Sequence, residues 1–112
     1  MDPLTELARR ATGDPFFLGC DLAGYAASER LDDAALAAKL GVAAEGLTML
    51  RLCRSPREDV AGFREDMERV ATKYAADVDA LMRAVRHARV LAKLRAAGGG
   101  GLMAARDAEP EP

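Results

Sequence analysis

The chain of 112 residues contains no Trp, Ile, Asn or Gln, and only five aromatic residues. Each absence narrows what the chain can be. Without Ile, and with six Val and four Thr, β-branched residues are too scarce for a sheet sandwich. Without Asn or Gln, no side chain can make the paired amide contact that reads adenine in a DNA major groove. One His and two widely separated cysteines, Cys20 and Cys53, lack the spacing of a zinc site. No metal or cofactor is therefore expected, and reduced thiols fit a cytoplasmic chain. No apolar run reaches signal-peptide or membrane-spanning length, so no membrane partner is expected.

What is present points to helices. Half of the residues are apolar and 24 are Ala, a composition suited to short helices in close contact. The length fits one domain with one core. The fold class predicted is all-α, a compact bundle of about five helices. Arg outnumbers Lys thirteen to three, which fits a GC-rich coding sequence. The net charge of −2 conceals an uneven distribution. Residues 1–49 carry four Lys/Arg against eight Asp/Glu, residues 50–97 eleven against seven, and residues 98–112 one against three. A chain of this kind can present a basic face despite its acidic total.

Punctuation along the chain divides it into helices. Asp2-Pro3 reads as a cap and first helical residue of a short helix ending near Gly13. Asp14-Pro15 repeats the signal and opens a helix carrying Leu18, Leu22 and Tyr25, in which Gly19 and Gly24 either weaken the helix or permit a close neighbour. Asp32 or Asp33 caps a helix to about Leu40, and another spans roughly Ala43 to Cys53. Ser55-Pro56 forces an extended turn within a charged loop over 54–61. Phe63, Met67, Val70, Ala71 and Tyr74 lie on one helical face, and Val78, Leu81, Met82, Val85 and Ala88 on the next, with Leu91 and Leu94 prolonging the stripe to about Ala97. A single domain is predicted over 1–97, with a flexible, Gly-rich and acidic tail over 98–112.

The segment from Asp32 to Arg57 is the most informative. Leu36, Ala37 and Leu40 share one face, Gly41 supplies a helix stop, and Val42, Leu47 and Leu50 turn back toward the first set. This is the pattern of a helix-turn-helix. Over residues 16–86 the order of helices, Ala37 at the crossing point, Gly41 in the turn and Arg54-Ser55-Pro56 after the second helix resemble the repressor-type (Cro/C1, XRE-like) helix-turn-helix family. The resemblance implies a DNA-binding protein, a transcriptional regulator, with the 43–53 helix in the major groove.

On that reading Thr48 and Arg51 face base edges, and Lys39, Arg54, Ser55 and Arg57 face phosphates. The rest of the outward face is Ala43, Ala44, Glu45, Gly46 and Met49, and Glu45 would repel phosphate. A second reading therefore stands beside the first: a protein-interaction module that keeps the fold without reading DNA, with Ala44, Met49 and Leu52 at the interface. The last helix carries Arg83, Arg86, His87, Arg89, Lys93 and Arg95, a basic set that can bind nucleic acid, a membrane surface or an acidic partner, and its length beyond Arg86 makes it a candidate for homodimerisation. His87 has no nucleophile that sequence places beside it, Gly98–Gly101 follows no strand, and the acidic pairs Asp32-Asp33 and Glu65-Asp66 sit at cap or solvent positions. No enzyme is expected.

Overall fold

Residues 3–98, which the computed structural model describes, form six helices. They are α1 (Pro3–Ala11), α2 (Leu18–Glu29), α3 (Asp33–Leu40), α4 (Ala44–Arg51), α5 (Val60–Tyr74) and α6 (Val78–Gly98). The all-α bundle expected from composition is present. The cap expected at Asp2 and the tail beyond Gly98 lie outside the described residues.

Aspartates start three of these helices by accepting from the first unpaired backbone N–H groups. Asp32 accepts from Ala35 N at 2.8 Å, Asp59 from Gly62 N at 2.8 Å, and Asp77 from Ala80 N at 3.1 Å. The Asp59 cap begins α5 at Val60, three residues before the expected Phe63. Asp14 behaves differently: its carboxylate accepts from Phe16 N at 3.0 Å in a turn, and α2 starts only at Leu18. The reason lies across the molecule. Phe17 is extended and bridges Arg54, with Leu18 N donating to Cys53 O at 2.7 Å and Ser55 N to Phe16 O at 2.8 Å.

Gly41 ends α3 with φ +75°, a conformation that a side chain would strain. Its neighbours close the turn: Val42 N reaches Ala37 O, and Asp77 N donates to Leu40 O, both at 2.9 Å. The three-residue turn 41–43 thus makes α3 and α4 a helix-turn-helix tied to the start of α6.

Leu18, Leu22, Leu36, Leu40, Leu50, Met67, Leu81 and Val85 are fully buried and form the centre of the core. Each such side chain contributes about 1.5–3 kcal/mol relative to exposure. The helix-turn-helix positions expected inside are there, with Val42 half-buried at the edge. α6 packs along α2 and α5, while α4 rests on α1, α2, α3 and α5. Gly19 permits this last arrangement. A Cβ there would lie 2.9 Å from the Arg51 carbonyl oxygen and 3.4 Å from the Ala11 backbone. The stripe on α6 ends earlier than expected: among the described residues no other helix covers its last turns, and Leu91 is half-buried and Leu94 exposed. Among the described residues, no helix is long and apolar enough to cross a membrane.

Candidate functional site

The front of α4, where DNA-reading side chains were expected, is short of cations. Ala43, Ala44 and Glu45 are exposed, so the first turn presents small side chains and one carboxylate. Thr48 is half-buried and its hydroxyl donates to Ala44 O of the preceding turn at 3.3 Å. Arg51 does not point outward. It folds back across the turn and grips Asp33 at the start of α3, with Nη2–Oδ1 2.7 Å and Nη1–Oδ2 3.3 Å. Only 16 % of its side chain is exposed, and its Nε is enclosed without a partner among the described residues. The guanidinium holds the Asp33 carboxyl below its ordinary range. Lys39 is exposed on α3 and pairs with no carboxylate among the described residues.

The C-terminal end of the same exposed face is built differently. Met49, Leu52 and Cys53 meet Val70 and Tyr74 of α5 across a groove of about 630 Å³. All five are half-buried, so the floor is apolar and reachable. Arg54, Arg57, Arg69 and Lys73 surround it. Arg57 is anchored by Asp66, whose carboxylate accepts from Nη2 at 3.0 Å, from Nε at 3.1 Å and from the Arg57 backbone N–H at 2.9 Å. Glu65 accepts from the same guanidinium at 2.5 Å. These contacts hold the Asp66 carboxyl down at about 2 and raise the Arg57 guanidinium above its ordinary value. Arg69 also reaches Asp66, at 3.3 Å.

Two rim cations pair with no carboxylate among the described residues. The Arg54 guanidinium lies 5.3 Å from the Phe16 ring centre, and the Lys73 ammonium 5.5 Å from that of Tyr74. Cys53 donates to Met49 O at 3.4 Å, and burial pushes its thiol above the ordinary value, so it lines the floor as a neutral group.

The loop that carries half of this rim is held from below. Ser55 donates to Asp21 on α2 at 2.7 Å and accepts from Arg89 on α6 at 3.1 Å. Arg89 also donates to the carbonyls of Pro56 and, at 3.3 Å, Arg57. Burial pushes the Asp21 carboxyl above its usual range, against the opposing effects of the Ser55 hydrogen bond and the Arg89 charge. Ser55 is therefore a structural tie rather than an exposed hydroxyl, although it borders the groove.

Of the residues singled out in the sequence, Met49, Leu52, Arg54, Ser55 and Arg57 come together at this groove. Thr48, Lys39 and Ala44 do not line it, and Arg51 is turned toward Asp33. Sequence reasoning missed Val70 and Tyr74 as floor, and Arg69 and Lys73 as rim. The i, i+4 pair Arg69 and Lys73 beside Val70 and Tyr74 was the available signal. Asp21 and Arg89, which fix the loop, act over 34 residues and leave no local trace. Among the described residues, no group of three or more His, Cys, Asp or Glu side chains could hold a metal ion. Comparison with protein-family models, curated proteins and solved structures finds no match for this chain.

Proposed function

We propose that the chain is a protein-interaction module that docks an acidic, amphipathic helix of a partner in the α4–α5 groove. One observation carries this reading: an apolar, half-buried floor of Met49, Leu52, Val70 and Tyr74 is ringed by four cations and Asp66, and two of the cations, Arg54 and Lys73, pair with no carboxylate among the described residues. Amphipathic helices enter such grooves by inserting apolar side chains at i, i+3 or i+4 spacing. Carboxylates on the flank of that helix would complete the pairing with Arg54 and Lys73, giving specificity at the rim. The retreat of Arg51 onto Asp33 supports the same reading, since it removes a cation from the face that DNA would meet.

The test is a display library of amphipathic helices selected against the full-length protein. Peptides pairing leucine with Asp or Glu are expected to be enriched. Met49→Asp and Lys73→Glu should each weaken them at least tenfold, with the helical circular dichroism unchanged. No enrichment, or affinity indifferent to both substitutions, contradicts the proposal.

The competing reading is a DNA-binding transcriptional regulator of the repressor type, favoured by the helix-turn-helix of α3 and α4 and by Lys39 and Arg54 being exposed. It predicts a mobility shift on GC-rich duplexes that weakens steeply with salt. Homodimerisation through α6 is tested by truncation at Arg86 and measurement of mass in solution.

A further inference from the structure

Glu58, the neighbour of Arg57 in the loop, borders a different hollow. It lies between the start of α5 and the second half of α6, encloses about 310 Å³, and has Phe63 in its floor with Val60 and Val90 at its edges. Val60 is 86 % exposed, Val90 55 % and Leu94, one turn beyond Val90, 63 %. Val60 and Val90 at such exposure flank a hollow whose Phe63 floor is 6 % exposed, and Leu94 extends the apolar patch along α6.

The charges around this patch are mostly basic. From Ala80 to Gly98, α6 contains no Asp or Glu, but carries Arg83, Arg86, Arg89, Lys93 and Arg95. The Arg86 guanidinium lies 5.1 Å and that of Arg89 5.4 Å from the Phe63 ring centre, and Lys93 borders the same hollow. Glu58 is the single acid at its edge. A second copy of the chain would set this basic face against its own equivalent, which like-charge repulsion opposes. The hollow is concave, which suits an inserted side chain. Arg86, Val90, Lys93 and Leu94 fall at i, i+4, i+7 and i+8, the spacing that another helix matches along its length.

We propose that this face is a second docking site, for an acidic helix of a partner protein that inserts aliphatic side chains over Phe63 and sets carboxylates against Arg86 and Lys93. It shares neither floor residues nor rim cations with the α4–α5 groove, so it stands independently of the function proposed above. With both sites filled, the module bridges two acidic segments.

The test uses the full chain with the first groove disabled by Met49→Asp and Lys73→Glu. Selection from the same helical library should still enrich peptides that combine leucine with Asp or Glu. Amide shifts on titration with an enriched peptide should centre on Val60, Phe63, Val90 and Leu94. Val90→Asp and Leu94→Asp, both at exposed positions, should each weaken that peptide at least tenfold while the helical circular dichroism stays constant. Failure to enrich any peptide, shifts centred elsewhere, or affinity unchanged by both substitutions overturns the proposal. So does finding that the two aspartates instead abolish sedimentation with phosphatidylserine vesicles, or halve the mass in solution, with no peptide bound.

Discussion

The two ends of the exposed face of α4 differ in a way that its sequence alone does not suggest. The front offers Ala43, Ala44 and Glu45, and its one arginine is turned back onto Asp33. The C-terminal end offers Met49 and the capping Leu52 to a groove with four cations and Asp66 around it. An eight-residue helix thus carries a first turn nearly free of binding chemistry and a last turn well equipped for it. The lesson is that a helix-turn-helix register fixes which side is buried, while the use of the exposed face depends on neighbours far along the chain.

Removing the support common to both ends should have the largest effect. Leu50 is fully buried beneath α4, and Leu50→Ala is expected to lower stability by about 2–5 kcal/mol, measured by urea denaturation. Next comes Gly19→Ala. Its Cβ would meet the Arg51 carbonyl oxygen at 2.9 Å, so backbone must move, at a cost of about 1–3 kcal/mol in the same measurement. A cost near zero would mean that α4 is not seated against α2 as described.

Arg51→Met sharpens the contrast between the two ends. The pair it breaks is partly exposed, because Asp33 is 77 % accessible, so a loss of roughly 0–1 kcal/mol is expected. Binding of a groove peptide should not change.

The smallest effect is one of pH. Asp66 is held at about 2 by Arg57, below its ordinary 3.8. A lowered folded-state value stabilises the fold above the unfolded value, and that stabilisation disappears as pH falls from about 4 toward 2. Asp66→Asn should flatten the stability profile in that window and leave it unchanged near neutrality in slope, as checked by thermal melts at graded pH.

Much of the scaffold was legible in the sequence. Leu36, Ala37, Leu40, Leu47 and Leu50 are inside as their spacing required, and Gly41 has the positive φ that a stop demands. Gly19 was legible only as either a weak point of its helix or a place of close approach, and the structure shows the second, against Arg51 and Ala11. The start of α2 was misplaced because Phe17 is recruited by a backbone bridge to Arg54, 37 residues away. The orientation of Arg51 was missed for a similar reason: its partner, Asp33, begins the preceding helix and lies off the helical face used to assign it. The groove itself was half legible. Met49 and Leu52 stood out as apolar residues on a surface helix, but their counterparts on α5 were assigned to the core stripe, which Val70 and Tyr74 only border.

The most direct measurement compares two single charge reversals, Lys73→Glu at the groove and Lys39→Glu at the front, against both a selected acidic helical peptide and a GC-rich duplex. The account predicts that Lys73→Glu weakens the peptide at least tenfold, that Lys39→Glu leaves it unchanged, and that neither protein shifts the duplex at micromolar concentration. A salt-sensitive duplex shift abolished by Lys39→Glu, with the peptide indifferent to Lys73→Glu, would contradict it.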